Sequence, residues 1–269
     1  MGPADGEEGT VFELGGAVAV VTGASSGLGR RFALDMAARG ATVVGVARRA
    51  ELLESLGDEL RRRTKDSTTV TCDVSDTAHF ATVVRAVETE RARIDVLVNN
   101  AAIAPPFRDS DPDLDAYHSV MDTNYFAAVA GTLTVLPGML ARDRGVIVNV
   151  SSDSGRAPGP RDAAYGASKA ALSAFTEALS FDTEGTGVHL HVLYPGWVPT
   201  AMGAGAVDAG MPMPPRMVRR TEEQVSQLLL ARIGGTRVDI DAAPIARLAP
   251  IGRAVFPGAY RKGVRKAGG

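Results

Sequence analysis

Cysteine is nearly absent: Cys72 is the only one in 269 residues. No disulfide can form within the chain, and Cys72 lies in an apolar, strand-like run, so it reads as a small buried hydrophobe. A reducing, cytoplasmic setting is expected. An excess of charge of either sign is also missing, with a formal net charge of −2 and a pI near 6.1. Nucleic-acid-binding proteins normally carry a strong basic excess, so no nucleic-acid partner is expected. No apolar run reaches the roughly 18–20 residues that cross a bilayer, so no membrane span is expected. A metal site is not expected either. The first nine residues are acidic and Gly-rich, unlike a signal peptide, and residues 1–14 are expected to form a disordered arm. Met1-Gly2 could open a myristoylation motif, but Gly6 stands where that motif needs Ser or Thr.

What the chain does have is a regular alternation of strand-like and helix-like stretches. Strands are expected at 18–21, 41–46, 68–72, 94–98, 146–150 and 188–193, with a last one at 237–240. Helical stretches fall at 30–39, 51–63 and 76–91. A long helix follows from Asp111-Pro112, where Asp can cap and Pro fits the first turn. The next helix carries Tyr165. Strands alternating with helices predict an α/β domain: a Rossmann-type, doubly wound parallel sheet of about seven strands, helices on both faces. At 45% hydrophobic content the chain can bury one large core. No internal repeat or linker divides it, so one domain spans 15–245, followed by a basic tail at 246–269. The Asn149-Val-Ser151 glycosylation pattern falls in a buried strand and is discounted.

The chemistry is organised around Tyr165-Gly-Ala-Ser-Lys169, with Ser152 thirteen residues upstream. Tyr and Lys four apart share one helix face. There the ammonium is expected to hold the phenol below its ordinary pKa of about 10, so that it can exchange a proton near neutral pH. Ser152 follows an apolar strand, which brings its hydroxyl to the same space. Such a pair alone also occurs on solvated helix faces.

Glycines 23, 27 and 29, after the first strand, allow a tight turn and close approach to a pyrophosphate at a helix N-terminus. Their spacing is Gly-x-x-x-Gly-x-Gly. An NAD site usually has a carboxylate at the end of the second strand, where this chain has Ala47-Arg48-Arg49. A guanidinium suits a 2′-phosphate, so NADP(H) is expected over NAD(H), unless the arginines are merely solvated.

Thr22-Gly-Ala-Ser-Ser-Gly-Leu-Gly29, Cys72-Asp-Val74, Asn99-Asn-Ala-Ala102, Asn124, Asn149-Val-Ser-Ser152, Tyr165-Gly-Ala-Ser-Lys169 and Pro195-Gly-Trp-Val-Pro-Thr200 occur in that order. Together they resemble the short-chain dehydrogenase/reductase family over residues 15–200. The resemblance implies cofactor contacts from Thr22, Gly23, Ser25, Ser26, Gly27, Leu28 and Gly29, with Arg48 at the second strand. Asp73 and Val74 would border the adenine, Asn100 and Ala101 the ribose, and Asn99 would hold the central strands together. It implies Tyr165 as general acid/base, Ser152 as donor to the substrate oxygen, and Lys169 on the nicotinamide ribose. Asn124 would fix a water relaying protons to Lys169, and Pro195, Gly196, Val198 and Thr200 would wrap the nicotinamide. Ala102 departs from the family's usual Gly.

Residues 201–220 mix flexible glycines, stiff prolines and adaptable methionines, as expected of a substrate lid. Ile103, Phe107, Ser154, Trp197 and Met202 are expected to line the substrate pocket, and Arg156 and Arg161 to be solvated. Thr221-Glu-Glu-Gln224 is a capping-box helix start. The tail mixes Leu248, Ile251, Val255 and Phe256 with Arg253, Arg261, Lys262, Arg265 and Lys266. Such residues more often pack a terminus against the domain or a partner subunit than against a membrane, so membrane contact is not expected. The long helix and the Tyr165 helix are the family's usual dimer surface, so a homodimer is expected; a tetramer is open.

These features predict an NADPH-dependent reductase of a largely apolar ketone, or the reverse oxidation of a secondary alcohol. A non-redox enzyme of the same fold (isomerase, lyase or cyclase) using the same tyrosine remains open, as does a non-catalytic NADP-binding regulator.

Overall fold

The computed structural model describes residues 11–104, 113–208 and 213–268. Its strands are β1 (Val18–Thr22), β2 (Thr42–Ala47), β3 (Thr68–Thr71), β4 (Val96–Asn99), β5 (Gly145–Val150), β6 (Val188–Tyr194) and β7 (Asp239–Asp241). All seven run parallel in one sheet, in the order β3-β2-β1-β4-β5-β6-β7. The expected doubly wound architecture is therefore present, with the order reversing between β1 and β4.

Period-two alternation sends neighbouring side chains of each strand to opposite faces. Ala19 and Val21 of β1, Val96 and Val98 of β4, and Val146 and Val148 of β5 join one apolar cluster. Val20, Leu97 and Ile147 join the other. The first is closed by helices α1 (Gly27–Ala38), α2 (Ala50–Arg61) and α9 (Glu222–Leu230), through residues such as Phe32, Leu56 and Leu229. The second is closed by α3 (Thr77–Arg91) and α5 (Ala127–Ala141), through Phe80, Val84 and Val135. Strands sandwiched this way are apolar on both faces, which explains why they read as continuous runs.

Helix α4 (Leu114–Met121) is capped by Asp113, whose carboxylate accepts from Asp115 N at 3.0 Å. The expected start at Asp111-Pro112 lies outside the described residues. A π-helical turn, Asp122–Phe126, joins α4 to α5. The continuous helix Leu114–Ala141 is 28 residues long with a mean hydropathy of 1.3 over its most apolar stretch. By length and composition alone it could cross a membrane, although no unbroken apolar run in it is that long. Asn124 and Pro137 interrupt the apolar run without lowering that average enough. In the fold its buried Gly131, Thr132, Val135 and Met139 make it a core helix.

Two further boundaries differ. Cys72 is buried but lies beyond β3; its backbone N still donates to Ala47 O at 2.9 Å. Within the arm expected to be disordered up to residue 14, Phe12 and Leu14 are held against the domain: Phe12 N donates to Ile233 O at 2.9 Å, and Leu14 is buried. Thr221 caps α9 in a complete capping box, as its sequence requires.

Two buried amides tie the sheet to its helices. Asn99 Nδ2 donates to Asn149 Oδ1 at 2.8 Å and to Thr132 Oγ1 of α5 at 3.2 Å. Asn149 Nδ2 donates to Thr176 Oγ1 at 2.8 Å, on helix α7 (Ala163–Asp182). Asn149 is fully buried, so its glycosylation pattern is inaccessible. Replacing Asn149 by Ala strands buried partners on β4 and α7, and should lower unfolding stability in urea by about 1–3 kcal/mol. A loss below about 0.5 kcal/mol would show that the network is dispensable.

Candidate active site

The carboxyl ends of β1 and β4 meet where the strand order reverses, the usual ligand crevice of such sheets. Gly23 (φ +66°) and Gly27 (φ +57°) have left-handed backbones. A Cβ at Gly23 would lie 2.8 Å from Asn100 Nδ2, and one at Gly29 would collide with Gly23 O and the same amide. The turn is drawn tight because Thr22 Oγ1 accepts from Asn100 N at 2.9 Å and Ala101 N at 3.0 Å, while Asn100 Nδ2 donates to Thr22 O at 3.0 Å. Ser26 occupies the N-cap of α1 without capping it, and the first turn has no acidic residue. Free N–H groups and the positive helix end therefore face the crevice, as an anionic ligand needs.

At the end of β2, Arg49 Nη2 donates to Ser25 Oγ at 2.9 Å and Ser26 Oγ at 2.6 Å. Arg48 is 60% exposed and lies 3.7 Å from Asp73 Oδ2. Both arginines line the cleft. The sequence reading assigned only Arg48, although Arg49 makes the closer contacts to the Gly-rich turn. Val74 lines the cleft, but Asp73 turns onto Ser75, accepting from its N at 3.0 Å and its Oγ at 2.8 Å. Burial works to raise the Asp73 carboxyl; the Ser75 hydrogen bonds and the Arg48 charge outweigh it and hold it below the usual range.

Ser152, Tyr165 and Lys169 line the same cleft, whose volume is about 440 Å³. Ser152 lies just beyond β5 and caps α6 (Asp153–Arg156), accepting from Ser154 N at 3.2 Å. Tyr165 lies in the first turn of α7, with the Ser152 side chain near enough to act on its phenol. The Lys169 Nζ lies 5.8 Å from the centre of the Tyr165 ring and donates to Val150 O at 2.7 Å.

A family model described as short chain dehydrogenase matches residues 17–209. The chain belongs to the short-chain dehydrogenase family. A bovine relative named Dehydrogenase/reductase SDR family member 7B is 36% identical over 258 residues, covering 91% of this chain and 79% of that protein. An uncharacterized oxidoreductase from Myxococcus xanthus is 38% identical, over 75% of this chain and 79% of that protein. A Pseudocercospora fijiensis short chain dehydrogenase is 39% identical over 71% of this chain, which spans 63% of that relative's length. The crystal structure of a short-chain dehydrogenase from Streptomyces avermitilis superposes with a TM-score of 0.78 at 25% identity, covering 93% of this chain and 97% of the other. The protein is thus a short-chain oxidoreductase, of a family that uses a nicotinamide cofactor, NAD(P)(H), on small molecules. The side-chain-free cradle, the open helix end and the two arginines fit such a dinucleotide.

Within this short-chain dehydrogenase the catalytic candidates differ from expectation in two respects. Burial pushes the Tyr165 phenol up to about 12; the Ser152 hydrogen bond opposes this, and the charges of Asp162 and Asp153 add to it. Burial also pushes the Lys169 ammonium down to about 7. The lysine does not hold the phenol down as expected, because desolvation favours the neutral form of both groups. Asn124 is 1% exposed. Its Oδ1 accepts from Ile103 N at 2.8 Å, and its Nδ2 donates to Ile103 O at 2.9 Å and Ser168 Oγ at 3.1 Å. Its side chain thus ties the stretch after β4 to α7.

Ile103, Ser154, Trp197 and Met202 line the cleft as expected, while Phe107 lies outside the described residues. Pro195, Gly196, Val198 and Thr200 line it as well, and Ala102 contributes its extra methyl. The first part of the segment expected to form a lid is helix α8 (Ala201–Asp208); Ala201, Met202, Gly203 and Ala206 line the cleft. Thr22, Gly29 and Asp73 do not line it; Thr22 and Gly29 shape the turn beneath.

Arg156 is not solvated. It pairs with Asp239 at 2.5 Å and with Asp241, and its guanidinium sits 3.2 Å from the centre of the Tyr194 ring. Asp153 and Asp162 were not singled out from the sequence, where no spacing distinguishes them. Burial raises the Asp153 carboxyl to about 6, the Arg156 charge opposing and the Asp241 charge adding. Burial also raises Asp162, against hydrogen bonds from Ser154 and Gly159.

Lys169 links stability to pH. Its unfolded pKa is 10.5 and its folded one about 7, so between those values the unfolded chain binds more protons and stability rises with pH. Lys169→Met should flatten that rise in urea midpoints measured from pH 7 to pH 10. An unchanged slope would mean that another group carries it.

Proposed function

We propose that this chain is an NADP(H)-dependent oxidoreductase interconverting a largely apolar ketone and its secondary alcohol. The observation that carries the reading is the convergence of Ser152, Tyr165 and Lys169 in one cleft whose other end is the Gly-rich turn. When bound, the nicotinamide supplies or accepts the hydride. Negative charge then develops on the substrate oxygen, which needs donors already in place. The Ser152 hydroxyl polarises that oxygen, and the Tyr165 phenol delivers its proton. A phenol pushed up to about 12 carries its proton at neutral pH, which suits reduction. As the phenol gives up the proton, the Lys169 ammonium stabilises the phenolate.

The absence of a carboxylate at the end of β2 and the two arginines on the cleft support NADP(H). Ile103, Trp197, Met202 and Ala206 support an apolar substrate. The exposed Leu114, Phe126 and Leu133 of the long helix and Phe181 of α7 support a homodimer through that face. The lone buried Cys72 suits a reducing cytoplasm.

Tyr165→Phe should fold and bind NADPH while losing at least about 100-fold in turnover with apolar ketones. Retained turnover would remove Tyr165 from the mechanism. Deuterium from labelled NADPH should appear in the product; its absence, with turnover intact, would favour a non-redox reaction on the same tyrosine. Arg48→Ala and Arg49→Ala should each weaken NADPH binding by about tenfold and leave NADH binding nearly unchanged. Equal losses for the two cofactors, measured by fluorescence titration, would overturn the NADP assignment.

A further inference from the structure

The chain ends in two helices, α10 (Leu248–Val255) and α11 (Pro257–Gly268). The last 28 residues contain six Lys or Arg and no Asp or Glu, in a chain of formal net charge −2. Cationic and anionic character is thus segregated, with the tail carrying a concentrated positive charge.

The apolar residues of α10 point the wrong way for a helix packed on its own domain. Ala249, Pro250 and Gly252 are its half-buried positions, so the small residues face inward. Leu248, Ile251 and Val255 are 57%, 58% and 60% exposed, and Phe256 in the following turn is 65% exposed. The spacing of 248, 251 and 255 puts all three on one helical stripe. These side chains do not pack against the domain. Water-facing helices normally bury large apolar side chains and expose small or polar ones.

The stripe is held in place. Arg253 Nη1 donates to Arg156 O at 3.3 Å, and the Tyr260 hydroxyl donates to Pro158 O at 3.1 Å. Both anchors lie in the connection between β5 and α7. Beyond the stripe, α11 exposes Arg261, Lys262 and Arg265.

We propose that α10 and α11 form a docking surface for an anionic lipid membrane. Leu248, Ile251, Val255 and Phe256 enter the boundary between headgroups and acyl chains, and the cations of α11 meet the anionic headgroups. An apolar stripe beside a cationic face is the pattern of helices that lie in a membrane interface. Charge decides against a second copy as the occupant: a two-fold contact built on this surface would press two cationic tails together. Nucleic acid would match the charge but not the stripe.

The test is sedimentation of the full-length protein with vesicles at low and high salt. Vesicles of phosphatidylcholine containing roughly one-third phosphatidylglycerol should pull the protein down, and salt should release it. Phosphatidylcholine alone should bind at least about tenfold more weakly. Ile251→Glu with Val255→Glu should abolish binding while circular dichroism and thermal midpoint stay unchanged, because both side chains are exposed. Arg261→Glu with Lys262→Glu should remove the preference for anionic vesicles. The proposal fails if neither vesicle binds at low salt, or if the Ile251/Val255 variant binds like wild type. It also fails if the wild type is a dimer that this variant dissociates, since a second copy then occupies the stripe.

Discussion

One close approach sets the geometry of this protein. Gly23 O, Gly29 and the Asn100 amide occupy space that a single Cβ would close, and Thr22 Oγ1 holds β1 and β4 together at that point through two backbone N–H groups. The contact falls where the strand order reverses, so it fixes both the crevice and the direction in which α1 leaves it. Because all strands are parallel, β5 and β6 deliver their carboxyl ends to the same edge. Ser152 follows β5 and Pro195 follows β6, which is why residues far apart in sequence share one cleft.

Within that cleft, burial governs more than charge does. The phenol and ammonium that face each other are each driven toward the neutral form, one upward and one downward. A pair in that condition holds its proton on the phenol and leaves the lysine about half protonated at pH 7. Small additions of charge nearby then matter, since desolvated groups respond strongly to Coulombic neighbours. Asp153 and Asp162 are such neighbours, and the raised carboxyl of Asp153 makes its own charge depend on pH near 6.

The central strands were legible because sandwiching between two helical layers writes itself as an apolar run, and the Gly-rich turn because its glycines answer a steric demand visible in spacing. Helix ends followed from Asp76 and the Thr221 capping box. Side-chain partnerships across elements were not legible. Nothing adjacent in sequence distinguishes Arg49, bound to Ser25 and Ser26, from Arg48, which leans toward Asp73. Arg156 looks solvated because its partners, Asp239 and Asp241, lie more than 80 residues later. The packed Phe12 and Leu14 were hidden by the polar, Gly-rich stretch before them. Asn124 was found by its place in an ordered motif set, but only the fold shows that its amide is spent on Ile103 and Ser168.

Asp241 links these observations. Its carboxylate is 2% exposed and serves both Arg156 and Arg247. A buried carboxylate with two guanidinium partners is costly to leave half-satisfied, so β7, α6 and the start of the tail hold one another in place. Arg156 O then accepts from Arg253 of α10. A single chain of polar contacts therefore runs from the tail to the short helix that Ser152 caps. Arg253 of α10 is thus tied to the short helix that Ser152 caps, although none of the described tail residues lines the cleft.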